Sequence, residues 1–113
     1  MKTNIHPVLT IRLFSDEKCF GPGIAELLER VEERRSLRAA AASMDMAYSK
    51  AWTIVRRCEE NLGIKLLDYT TGGKNGGGAS MTQEAKDLLA SYRRYCARLQ
   101  EEAQRLYEEE FPK

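Results

Sequence analysis

The chain has 113 residues, 42% hydrophobic and 31% charged, which is enough for one modest core and a single domain spanning 1–113. No apolar run of 18 residues and no signal-peptide pattern occurs, so a soluble, cytoplasmic protein is expected. Its 18 Lys and Arg against 17 Asp and Glu give a formal net charge of +1, weak for a nucleic-acid binder taken as a sum. The three cysteines, Cys19, Cys58 and Cys96, lack C-x-x-C spacing and leave an odd thiol, which argues for a reducing compartment. With His6 the only histidine, no zinc site and no cofactor is expected.

In chain order, Leu9, Ile11 and Leu13 share one face of a strand pattern from Val8 to Phe14, with Cys19 and Phe20 as a return strand beyond the Ser15 to Lys18 turn. This hairpin (8–20) either lids the core or pairs across a dimer. Pro22 suits a helix start, where its missing N–H costs nothing, and Ile24, Leu27, Leu28 and Val31 give the first helix (22–35) its buried stripe. A helix-turn-helix pattern then fills 36–62. Ser36 is the N-cap candidate, and Leu37 with Ala39 to Ala42 forms a helix whose small side chains admit close packing. Met44, Asp45 and Met46 make the turn, with Met46 placed to plug the corner. The second helix, opening at Ala47, buries Ala51, Val55, Cys58 and Leu62 and ends at the C-cap Gly63.

Ile64, Leu66 and Tyr69 alternate with polar residues as a half-buried strand does, and the glycine-rich run Gly72 to Gly78 leads into a second strand at Ala79 to Met81. The stretch 64–82 therefore reads as a hairpin wing with a pliant tip. Thr82 caps a last helix reaching about Glu110 (82–110), with Ala85, Leu88, Tyr92, Tyr95, Leu99, Ala103 and Leu106 recurring at three- and four-residue steps. At about 1.5 Å per residue this element exceeds about 40 Å, too long for so small a domain to cover. Leu88, Tyr92, Tyr95, Leu99 and Leu106 are accordingly assigned to a homodimer seam, with a helix from another protein as the other candidate partner.

Charge is segregated along the chain. From Arg34 to Arg57 six cations meet a single acid, Asp45, for a net +5, while from Glu101 to Lys113 five glutamates outweigh Arg105 and Lys113, for a net −3. The solvent face of the second helix, Ser49, Lys50, Thr53, Arg56 and Arg57, combines hydroxyls and cations suited to base edges and phosphates in a major groove. Ser36 and Arg38, at the start of the preceding helix, form a candidate phosphate clamp. Thr71, Lys74 and Asn75 are the wing's candidates for the flanking backbone. Trp52 lies at the edge of the buried stripe, where packing beneath the wing is preferred over direct DNA contact.

The run Ser36-Leu37-Arg38-Ala39-Ala40-Ala41, the segment Met46-Ala47-Tyr48-Ser49-Lys50-Ala51-Trp52 and the loop Thr71-Gly72-Gly73-Lys74-Asn75-Gly76-Gly77-Gly78-Ala79 resemble the DNA-binding domain of the ModE-type molybdate-responsive regulators, within the LysR-like winged helix-turn-helix group. The resemblance extends upstream to Phe20-Gly21-Pro22-Gly23 and downstream to Met81-Thr82. It implies a homodimer on double-stranded DNA, with the second helix in the major groove, Tyr48 at its leading end against the groove, and the wing alongside. Two departures stand out. Ala47 occupies the place where the family commonly has a serine, and the family's molybdate-binding module would be expected after the last helix, where the given sequence stops at Lys113. Molybdate sensing is therefore not carried over, and any small-molecule effector is unknown.

The expected fold class is mainly α with a small β component: a winged helix-turn-helix with an N-terminal hairpin and a long C-terminal dimerisation helix. Catalysis is not expected. Gly72-Gly73-Lys74-Asn75 lacks the upstream glycine and the following Ser or Thr of a P-loop, and one N-terminal histidine supplies no nucleophile–base pair. The expected function is a sequence-specific transcription regulator; the alternative is a dimerising interaction module that no longer reads DNA.

Overall fold

A computed structural model describes residues 4–71 and 77–111. Two short antiparallel strands, β1 (Leu13–Phe14) and β2 (Lys18–Phe20), lead into the helices α1 (Pro22–Arg34), α2 (Leu37–Ser43) and α3 (Tyr48–Leu62). The wing strands β3 (Leu67–Thr70) and β4 (Gly78–Met81) pair antiparallel in register Leu67 to Met81 through Thr70 to Gly78, and α4 (Gln83–Glu110) closes the chain. This is an α+β winged helix-turn-helix. No helix among the described residues is long and apolar enough to cross a membrane.

Local chemistry sets the helix ends. Ser36 Oγ accepts from Ala39 N at 3.0 Å, Thr82 Oγ1 accepts from Ala85 N at 3.0 Å, and Gly63 ends α3 in the left-handed region at φ 73°. Ala47, by contrast, starts α3 with no side-chain cap. In the turn between α2 and α3, Asp45 takes φ 54° and Met46 N returns to Ala41 O at 2.9 Å. Arg30 Nη1 reaches across from α1 to Ser43 O at 2.8 Å, satisfying a carbonyl at the end of α2.

The core gathers Phe20, Leu27, Leu28, Val31, Val55, Leu66 and Leu67, all fully buried, beneath the helix-turn-helix. The stripes expected for α1 and α3 are the ones buried: Ile24, Leu27, Leu28 and Val31 in the first, and Ala51, Val55 and Cys58 in the second, with Leu62 half-buried.

Three expectations require correction. The strand expected over Val8 to Phe14 is reduced to Leu13–Phe14. The segment before it is strapped onto α4 by side chains: Gln100 accepts from Leu9 N and donates to Pro7 O, and Tyr92 donates its hydroxyl to Ile11 O at 2.6 Å. A backbone satisfied in this way needs no strand partner. Second, the Ile64–Leu66–Tyr69 alternation fails, because Leu66 and Leu67 are both buried and Tyr69 is exposed. There the chain turns inward where Glu59 Oε2 accepts from Leu66 N at 2.8 Å.

Third, Tyr92, assigned to the dimer seam, is only 4% exposed and packs edge-on against Phe20 with ring centroids 5.0 Å apart. A side chain so enclosed by its own protomer has little surface left for a partner. Leu88 is likewise half-buried against the core. Beyond Gln100, α4 leaves the domain; Tyr95 and Leu106 are exposed and Leu99 is half-buried. The molecule measures 60 × 28 × 21 Å, and its radius of gyration of 17.4 Å exceeds the about 13 Å of a compact chain of this length.

Candidate nucleic-acid interface

An α-helix turns by about 100° per residue, so the solvent face of α3 divides into three ridges. Ser49 and Thr53 run along the middle, both exposed, and Thr53 Oγ1 donates to Ser49 O at 2.9 Å while its lone pairs stay open to solvent. Tyr48, Trp52 and Arg56 step by four residues along the flank facing the wing. Lys50 and Arg57 occupy the other flank, where Arg57 borders a crevice with Lys18, Met46 and Ile54. Arg56 and Arg57 are both exposed, yet they straddle the face rather than forming one paired contact.

Between the wing flank of α3 and the wing root lies an open groove of about 440 Å³, walled by Arg38, Tyr48, Trp52, Tyr69, Thr71 and Gly77. Arg38 lies over the Tyr48 ring at 4.2 Å and Arg56 over the Trp52 ring at 5.5 Å, so each cation stands on an aromatic face at the edge of the groove. Ser36 also lines it, but its hydroxyl accepts the capping bond of α2. Tyr69 has its phenol pushed up to about 12, chiefly by its partial burial, so it stays protonated and able to donate. Cys58, on the buried face of α3, is pushed up to about 11 by burial and remains a neutral thiol. Lys74 and Asn75, the two wing-tip candidates, lie outside the described residues, as do Gly72, Gly73 and Gly76.

What holds the wing beside α3 was not expected from the sequence. Glu59 carries its carboxylate from α3 to Leu66 N, with its other oxygen 3.7 Å from Arg56. From α1, Glu32 Oε1 accepts from Met81 N at 3.1 Å, and just past the end of α1 Arg35 O accepts from Ala79 N at 3.0 Å. Thr82 joins the far end, donating from Oγ1 to Lys65 O at 2.6 Å and from its backbone N to Leu66 O at 3.0 Å. Glycines at the wing root let its two strands close on each other. A Cβ on Gly77 would stand 2.5 Å from Thr70 O, and one on Gly78 would stand 2.9 Å from Thr70 Oγ1.

Two further residues at the groove were read as structural. Trp52, for which packing beneath the wing was preferred, is 44% exposed, and Tyr69, read as half-buried strand, is 41% exposed. The Tyr48–Trp52–Arg56 ladder at four-residue spacing was the available signal for Trp52. The arrangement as a whole offers hydroxyls, cations and aromatic faces on one side of the molecule, a set suited to phosphates and base edges together.

Residues 25–86 match the family described as bacterial regulatory helix-turn-helix protein, lysR family. Among curated relatives, the transcriptional regulator ModE of Haemophilus influenzae is 33% identical over 89 residues, covering 79% of this chain and 34% of the relative. The DNA-binding transcriptional dual regulator ModE of Escherichia coli K12 is 29% identical over 86 residues, covering 75% of this chain and 32% of the relative. A molybdenum transport protein ModE of Herbaspirillum seropedicae is 33% identical over 67 residues, covering 59% of this chain and 25% of the relative. The chain thus spans about a third or less of the length of these relatives. It belongs to the lysR family of bacterial regulatory helix-turn-helix proteins, with a DNA-binding domain of the ModE type.

Proposed function

We propose that the protein is a sequence-specific transcription regulator that binds double-stranded DNA as a homodimer. Each protomer lays α3 in a major groove, with Lys50, Ser49, Thr53, Arg56 and Arg57 on bases and phosphates and the wing on the flanking backbone. Arg38, held over Tyr48, meets a phosphate at the groove edge. The observation that carries this reading is the co-presentation of the polar face of α3 and the wing root on one side, fixed by the Glu59 and Glu32 bonds. The seam of the dimer is assigned to α4 beyond Tyr92, with Tyr95, Leu99 and Leu106 as its apolar contacts. Tyr95 is 51% and Leu106 46% exposed, and a helix that projects this far with such side chains in water calls for a partner.

Fluorescence polarisation with a random-sequence duplex at low salt tests the reading. Affinity in the micromolar range or tighter, weakening steeply with salt, is expected. Absence of binding would favour the interaction-module alternative, which the acidic end of α4 and the near-zero net charge otherwise recommend.

A further inference from the structure

The exposed side of α3 carries more apolar surface than phosphate binding uses. Trp52 and Tyr69 stand open beside Tyr48, which is 36% exposed, on the flank next to Ser49 and Thr53. Three aromatic side chains exposed together around one groove, rather than a single indole, mark a binding surface. The surroundings of Trp52 restrain it. Arg56 lies on the ring, and Glu59, itself tied to Leu66 N, stands 3.7 Å from the guanidinium. Ring, cation and carboxylate therefore form a stack anchored to the wing root. Trp52 lies in the second turn of α3, in the N-terminal part that a recognition helix directs at base edges. Among the base-edge groups exposed in a major groove, the apolar one is the 5-methyl of thymine.

We propose that Trp52, with Tyr48 beside it, is a specificity-determining residue that reads the 5-methyl group of a thymine in each half-site. The proposal rests on the DNA-binding reading above. It assigns base discrimination to the aromatic flank of α3, and it leaves the hydroxyls and cations to phosphates and polar edges.

The test uses a duplex enriched from a random pool by the whole chain, in which each thymine is replaced singly by deoxyuridine, a change that deletes only the methyl. The wild-type protein should lose about four-fold in affinity at one thymine of each half-site, the worth of one buried methyl. Trp52→Gln should bind the thymine and deoxyuridine duplexes alike, whatever its overall affinity, and Trp52→Phe should retain part of the difference. Circular dichroism melting confirms that both variants fold. The proposal is overturned if no deoxyuridine position weakens the wild-type protein, or if Trp52→Gln keeps the full penalty. It is also overturned if the wild-type protein prefers the single strand to the duplex, which would make the ring a stacking platform. Failure of the wild-type protein to bind any duplex at low salt overturns the DNA-binding reading itself, and the random-duplex titration reports that outcome separately.

Discussion

Glu32 carries several interactions on one carboxylate. Oε1 accepts from Met81 N, Oε2 lies 3.4 Å from Lys86 Nζ, and Arg35 stands 3.9 Å away. The Met81 N–H, with Lys86 and Arg35 behind it, holds this carboxyl below its ordinary value of 4.5. A carboxyl with a lowered folded-state pKa contributes stability above its unfolded value, and that stability is lost as pH falls through the folded value. Glu32→Ala should therefore cost about 1 kcal/mol in urea denaturation at pH 7, the typical worth of one such bond, and the gap from wild type should close in acid. A gap of the same size below pH 3 would show that the carboxylate charge is not what matters. On the DNA side, Arg56→Ala with Arg57→Ala should weaken binding to every duplex and flatten the log–log salt slope by about 2, because each lost phosphate contact removes about 0.9. An unchanged slope would take both arginines off the phosphates.

The geometry of α3 and the wing depends on a few long-range bonds between elements. Leu66 N is paired to Glu59, so Glu59→Ala leaves a buried donor without its partner, a loss of about 1–3 kcal/mol. Amide hydrogen exchange should show the loss as faster exchange at Leu66 and Leu67, with the core of α1 unchanged if the opening is local. Equal acceleration in α1 would mean instead that Glu59 supports the whole domain.

These bonds also mark the limit of what the sequence displays. Ser36, Gly63 and Thr82 were legible as helix boundaries because a cap is made by neighbours within three or four residues. The stripes of α1 and α3 were legible because burial follows the helical period. The N-terminal strap was not, since the side chains that replace its strand partner, Tyr92 and Gln100, lie more than 80 residues away. The exposure of Tyr69 was hidden for the same reason, since it depends on where Glu59 from α3, Glu32 from α1 and Arg35 just past the end of α1 set the wing, whereas that of Trp52 was legible in its four-residue spacing with Tyr48 and Arg56.

Across the whole molecule, the domain occupies one end of a 60 Å body and α4 projects from it. Charge follows that axis: cations gather in the helix-turn-helix half, and the far end of α4 carries Glu108, Glu109 and Glu110, with Arg105 tied to Glu102 and Glu109. A duplex approaching from the α3 side meets the basic half and is kept from the acidic tip. Dimerisation would duplicate the reading face about a two-fold axis and cover the apolar stripe left open on α4. Leu99→Glu with Leu106→Glu should halve the mass measured by sedimentation equilibrium without unfolding the domain, since neither side chain belongs to the buried core. A wild-type protein that sediments as a monomer at tens of micromolar would remove the homodimer from the account.

Selection of bound sequences from a random duplex pool by the whole chain tests the central claim most directly. Two copies of α3 and the wing related by a two-fold axis predict an inverted repeat whose half-site centres lie about one helical turn, or a whole number of turns, apart. Enrichment of a lone half-site or a direct repeat, or no enrichment at all, would contradict it.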